Sequence, residues 1–167
     1  MMCGSLVHMA QRELSGLEER IQYTFKDKKL LEQAVTHRSY LNENPTWPVG
    51  HNERLEYLGD AVLELVVTEY LYEHYPSTPE GEMTNWRAAL VNATMLAGVT
   101  ATMDLNEYML LSRGEARDTG RARQYILANA IEALIGAMYL DGGYQPCKEF
   151  IGHFVLTRLP DIISKRL

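Results

Sequence analysis

The chain has 167 residues, 46% hydrophobic and 23% charged, with 12 glycines and 6 prolines, one domain's worth of a globular protein, which excludes a disordered or collagen-like chain. No apolar run reaches the roughly 18 residues of a membrane span, and the first residues lack the basic start and apolar stretch of a secretory signal, so the expected location is the cytoplasm. Sixteen Lys and Arg stand against 22 Asp and Glu, a net charge of −6; such a protein holds an anionic partner locally or through metal, since its surface is not broadly basic. The two cysteines, Cys3 and Cys147, are too few and too far apart for a disulfide framework or a thiolate metal site.

Residues 1–12 read as a flexible N-terminal tail, 13–160 as the domain, and 161–167 as a C-terminal end from which a linker would start. Leu14, Leu17 and Ile21 have helical spacing, as do Leu30, Leu31 and Ala34 after an N-cap at Asp27. The stretch 42–50, NENPTWPVG, carries two prolines and a glycine and reads as a loop. From Asn52, a potential cap, to Tyr75 there is no proline, which predicts a helix of roughly 36 Å. Thr78 as cap and Pro79 at the first position predict a further helix from Glu80 through Met103. The stretch 112–124, SRGEARDTGRARQ, has two glycines, four arginines and no apolar period, and predicts a loop. Tyr125–Leu140 reads as an apolar helix stopped by Asp141-Gly142-Gly143, and Gln145–Leu159 as a last one, with Pro160 after it. No strand pattern stands out, so the expected fold is all-α.

Two features carry chemistry. At about 100° per residue, Glu53, Glu56, Asp60 and Glu64 fall in a stripe roughly 80° wide, opposite a core face of Leu55, Leu58, Val62, Leu65 and Val66. A solvated acidic face is one reading, but such faces usually mix in Lys or Arg at i+4. Between Asn52 and Tyr75 there are six acids and only Arg54 against them. Gly59, in mid-helix at a cost of about 1 kcal/mol relative to alanine, predicts the close approach of another backbone or subunit.

The second feature is Glu132. Within 125–140 the only strongly polar side chains are Asn129 and Glu132, three apart and on one face. A carboxylate there must protonate, pair with a base such as Arg38 or Arg87, or bind metal. Taken with the stripe, a divalent cation is the better account, because oxygen ligands suit Mg²⁺. The chemistry suggested is phosphoryl transfer.

The segment NERLEYLGDAVL at 52–63 closely resembles the signature of the ribonuclease III family of double-stranded-RNA endonucleases. TFKDKKLLEQAVTHRSY at 24–40, EGEMTNWRAALVN at 80–92 and ILANAIEALIGAMYLDGG at 126–143 match the same family in order, so the resemblance spans about residues 13–160. It implies a homodimeric helical endonuclease domain that uses Mg²⁺, with Mn²⁺ as a substitute, and leaves 5′-phosphate, 3′-hydroxyl and a short 3′ overhang during RNA processing. It implies Glu56, Asp60 and Glu132 as metal ligands and catalytic residues, Asn129 at the fourth ligand position, and Glu53 as a further acid of the catalytic valley. It also implies Tyr57, Gly59 and Glu80 at the dimer interface. Thr36, His37, Arg38 and Ser39 match another motif, whose expected role is to tie the early helices to the signature helix.

The chain departs from the pattern at Asn129, where most bacterial members have Asp; an uncharged carbonyl oxygen predicts weaker Mg²⁺ affinity. The family usually appends a double-stranded-RNA-binding domain that these 167 residues do not include, the chain being either cut short or naturally minimal, so weak and salt-sensitive duplex binding is expected of this stretch. Arg113, Arg117, Arg121 and Arg123 are the candidates for phosphate contact, a solvated loop being the other reading of that stretch. A catalytically silent ribonuclease III-like RNA-binding or scaffold module is the alternative function, and Asn129 is its only support. A di-iron bundle lacks the Glu-x-x-His spacing such sites use.

Overall fold

The computed structural model describes residues 14–165; the expected tail at 1–12, and Cys3 with it, lies outside the described residues. The helices are α1 (14–21), α2 (Lys28–Ala34), α3 (Arg38–Glu43), α4 (Glu53–His74), α5 (Glu80–Val91), α6 (Ala93–Ala101), α7 (Arg113–Arg117), α8 (Arg121–Gly142), α9 (Tyr144–Phe154) and α10 (Leu159–Ser164). The only extended pairing among the described residues is one isolated bridge between Thr36 and Leu110. The fold is all-α, as the periodicity predicts. No helix among the described residues is long and apolar enough to cross a membrane.

The centre of the molecule is the crossing of α4 and α8, its two longest helices. Glycine makes it possible. A Cβ at Gly59 would stand 1.7 Å from the carbonyl oxygen of Glu132, and one at Gly136 would stand 2.1 Å from that of Leu55. The two backbones therefore touch where side chains would otherwise hold them apart. The approach expected at Gly59 is made by α8 of the same chain, and Gly59 is buried there. The dimer-interface role implied for Gly59 is thus corrected: a residue sealed beneath α8 presents no surface to a partner. Around the crossing, Leu63, Val67, Ile131, Leu134 and Ile135 are fully buried and form the core with Leu17, Leu31, Leu90, Leu96 and Ile151.

Several boundaries differ from the sequence reading. The helix expected over Glu80–Met103 is broken at Asn92, which turns to extended backbone and caps α6 by accepting from Met95 N at 2.9 Å. At its start Pro79, not Thr78, is the N-cap, and no side chain caps it. Asn52 does not cap α4 with its side chain. It is buried instead, its amide donating to Ala34 O and its backbone N–H to Thr36 O, each at 3.0 Å. With His37 N donating to Leu110 O and Ser112 N to Ser39 Oγ, the segment at 36–39 ties the early helices to α4 as expected, and reaches the 110–112 stretch as well. Leu65 is 56% exposed and not on the core face, whose buried members are Leu55, Val62 and Val66. Pro160 falls in the first turn of α10, where its missing N–H costs nothing, and Leu159 and Ile162 of that helix are buried; the domain therefore continues through the start of the expected C-terminal end.

Candidate active site

The glycine crossing decides where the acids go. Glu56 and Asp60 flank Gly59 on α4, and Glu132 supplies the carbonyl against which Gly59 rests, so the three acids lie along one seam, near enough for the charges of Asp60 and Glu56 to act on Glu132. Glu53 and Glu56 lie in the first turn of α4, where the positive end of the helix dipole favours acids. Further along the stripe, Glu64 follows Asp60 by one turn.

The stripe is not uniformly uncompensated. Arg38 of α3 lies 3.5 Å from Glu53, with His51 at 3.8 Å, and Arg87 of α5 lies 2.9 Å from Glu64. The two arginines considered as partners for Glu132 thus neutralise the ends of the stripe instead. Glu56, Asp60 and Glu132 in the middle have no cationic partner among the described residues. The consequence is electrostatic: burial, and then the charges of Asp60, Glu56 and Glu64, push the Glu132 carboxyl up to about 8. Glu56 is also raised, by burial first and then by Glu53 and Asp60. Asn129, half-buried, sits one turn before Glu132 on α8. Among the described residues no group of three or more His, Cys, Asp or Glu side chains is drawn together tightly enough to enclose a metal ion; the carboxylates are electrostatic neighbours, not a closed coordination shell. As a donor set, three carboxylates without counter-charge, with an amide one turn away, suit a hard divalent cation.

The remaining predicted residues are dispersed. Tyr57 is 84% exposed on the face of α4 away from the core, in line with Leu65 and the 76% exposed Tyr72. Glu80 begins α5, is exposed, and accepts from Thr84 Oγ1 at 3.2 Å. The expected loop at 112–124 contains α7, capped by Ser112, which accepts from Glu115 N, and the first residues of α8. Arg113, Arg117 and Arg121 are exposed. Arg123 is half-buried and donates to Asp118 O, Glu115 O and Asn106 Oδ1, so three of its five N–H groups are engaged within the chain, which sets it apart from the other three arginines expected as phosphate contacts. Nothing in the spacing of the arginines singles it out; the signal is Asn106, remote in sequence.

An all-α domain that gathers acidic oxygens where its two longest helices touch is a class of architecture, and the comparisons narrow it. The profile of the Ribonuclease-III-like family matches residues 27–159. The chain belongs to the ribonuclease III family. It is 47% identical over 153 residues to Ribonuclease 3 of Chloroflexus aurantiacus, covering 90% of this chain and 62% of that protein. Against Ribonuclease 3 of Protochlamydia amoebophila it is 46% identical over 140 residues, covering 84% and 57%. The chain thus spans about three-fifths of the length of the curated relatives it matches. Its fold matches the nuclease domain of ribonuclease III from Campylobacter jejuni with a TM-score of 0.77 and 39% identity, over 87% of this chain and 97% of that one; that domain has been described for flexibility in a region involved in dimer formation. Dicer from Pichia stipitis matches with a TM-score of 0.63 and 26% identity, over 85% of this chain and 60% of that one.

Proposed function

We propose that this chain is a divalent-cation-dependent endoribonuclease that hydrolyses phosphodiester bonds of double-stranded RNA and acts as a homodimer in cytoplasmic RNA processing. The observation that carries the reading is the set of carboxylates on Glu56, Asp60 and Glu132, left without a cation although arginines reach the acids on either side of them. With Asn129 they would hold Mg²⁺, or Mn²⁺ in its place. When bound, such an ion activates water and stabilises the leaving oxygen. Glu53, held between Arg38 and His51, shapes the rim of the same valley. The products follow from the family: 5′-phosphate, 3′-hydroxyl and a short 3′ overhang.

Duplex RNA offers phosphates and A-form shape more than sequence. Arg113, Arg117 and Arg121, exposed and free of ion pairs among the described residues, are the phosphate contacts. A second copy of the chain covers the exposed Tyr57, Leu65 and Tyr72 of α4. Beside them a cavity of about 300 Å³, bounded by Leu71, Tyr72, Glu80, Met83 and Arg87, gives an aromatic side chain a place to enter.

The test is cleavage of a labelled RNA duplex with and without Mg²⁺ by the wild type and Glu132→Gln. Magnesium-dependent cutting by the wild type alone is expected; equal behaviour of the two proteins returns the chain to the silent scaffold. Asn129→Asp is expected to lower the Mg²⁺ concentration that gives half-maximal cleavage, since a carboxylate binds the ion more strongly than an amide. Equal half-saturation overturns the assignment of Asn129 as a ligand.

A further inference from the structure

The arginine-bearing segment at 112–120 is anchored at both ends. At its start Ser112 N donates to Ser39 Oγ at 3.0 Å, and Arg113 N to the Glu43 carboxylate at 3.2 Å, both on α3. At its far end a single side chain does the work. Arg123, on the first turn of α8, donates from Nε to Asp118 O at 3.2 Å, from Nη2 to Glu115 O at 2.5 Å, and from Nη1 to Asn106 Oδ1 at 2.9 Å. The fork therefore clasps the C-terminal carbonyls of α7 to the 3₁₀ turn Leu105–Tyr108. A five-residue helix has no independent stability, so the geometry of α7 depends on these anchors. The segment stands near the acidic start of α4, since α3, to which Ser112 and Arg113 bond, places Arg38 3.5 Å from Glu53. Along α8, Arg121 precedes Glu132 by about 16 Å at 1.5 Å per residue.

We propose that Arg123 is a positioning residue for duplex binding, which makes no phosphate contact and holds the Glu115–Asp118 turn so that Arg113, Arg117 and Arg121 face the substrate together. The inference rests on the reading of those three arginines as RNA contacts. A guanidinium fork that bridges three acceptors is not replaced by the point charge of lysine, and this separates positioning from simple charge.

The experiment measures kcat and KM for a short RNA duplex at fixed Mg²⁺ over a range of salt, for wild type, R123A, R123K and R113A/R117A/R121A. Each lost phosphate contact flattens the slope of log affinity against log salt by about 0.9. R123A is expected to flatten the slope of log kcat/KM by more than one contact's worth, towards the triple variant, and to raise KM severalfold while kcat holds. R123K is expected to behave as R123A, and a purely structural role would move neither slope nor KM. Rescue by R123K, or a slope change of one contact or less in R123A, overturns the proposal while leaving the three arginines as contacts. A triple variant with the wild-type slope removes the underlying reading and the proposal with it, as does a wild type that cuts no duplex.

Discussion

Glu132 sits half-buried in the apolar stretch 125–140 of α8, with Asp60, Glu56 and Glu64 as charged neighbours and no cationic partner among the described residues. Its carboxyl is raised from 4.5 to about 8, so the folded chain holds a proton between those values that the unfolded chain has released. Stability therefore falls as pH rises through this window. Glu132→Gln removes the penalty: in EDTA above pH 8 the variant is expected to be more stable by about 2 kcal/mol, after allowance for partial solvent screening, or roughly 4–8 °C in Tm. The two proteins should converge near pH 4.5, and added Mg²⁺ should raise the wild-type Tm more than the variant's. Thermal melts of the pair at both pH values check this, and a variant less stable than wild type at high pH refutes it. Glu132 was legible because it and Asn129 interrupt an apolar helix; the pairing of Arg38 with Glu53 and Arg87 with Glu64 was not, because each joins helices that the sequence alone does not bring together. Asp141 shows the opposite sign. Burial works against its charge, but the N–H of Asp27, the Tyr23 hydroxyl and the N–H of Lys26 outweigh it and hold the carboxyl below its usual range. Its contribution is present above the unfolded value and is lost as pH falls through the folded one, so Asp141→Asn should destabilise at pH 7, by about 2 kcal/mol, with the gap to wild type closing in acid. A gap that persists unchanged in acid would show that the charge is not what stabilises.

At the scale of elements, the two long helices were legible because α4 alternates its faces with a helical period and α8 is apolar almost throughout. Their crossing was half legible: Gly59 announced a close approach, but nothing in its own helix said whether the approaching backbone belonged to this chain or to another. Gly136 answers from the far side, since a Cβ there would meet Leu55 O at 2.1 Å. The helix break at Asn92 went unread because apolar spacing continues across it; only the side chain's bond to Met95 N distinguishes a cap from a mid-helix asparagine. Likewise α7 was hidden in a polar stretch because its stability comes from Ser112, Glu43 and Arg123 instead of from an apolar face. The crossing yields the prediction of this scale. In Gly59→Ala the new methyl would lie 1.7 Å from Glu132 O and 2.8 Å from Gly136 N, backbone atoms that cannot rotate away. The helices must part, at an expected cost of about 3 kcal/mol, or roughly 6–12 °C in Tm. Because Glu132 is the residue displaced, cleavage should fall further than the residual folded fraction accounts for. A Gly59→Ala protein that melts with the wild type would show that the crossing has slack.

For the whole molecule, the distribution of charge and apolar surface sets what it can assemble with. A net charge of −6 is confined to no single face: the acids of α4 lie along the seam with α8, while Arg113, Arg117 and Arg121 are exposed and make no ion pair among the described residues, and on the proposed function they would hold a duplex whose backbone crosses the carboxylates. On that reading one site cuts one strand, and cutting both requires a second copy. The exposed side chains of Tyr57, Leu65 and Tyr72 recur at i, i+8 and i+15, which keeps them within about 80° of one another on α4, with Ala61 and Thr68 between them, and such a row of exposed apolar side chains in so acidic a protein is where a copy of itself fits best. In a two-fold interface each side chain is used twice, so a single Leu65→Glu substitution places two charges in the same buried strip. Leu65 is 56% exposed in the isolated chain, so the variant should keep its helical circular dichroism while sedimentation equilibrium gives the mass of one chain, where the wild type gives two. Duplex scission should fall steeply, and the products that remain should be nicked on one strand and not severed. A Leu65→Glu protein that still sediments as two chains and cuts both strands would mean that the copies meet on another face, and that the stripe along α4 serves some other partner.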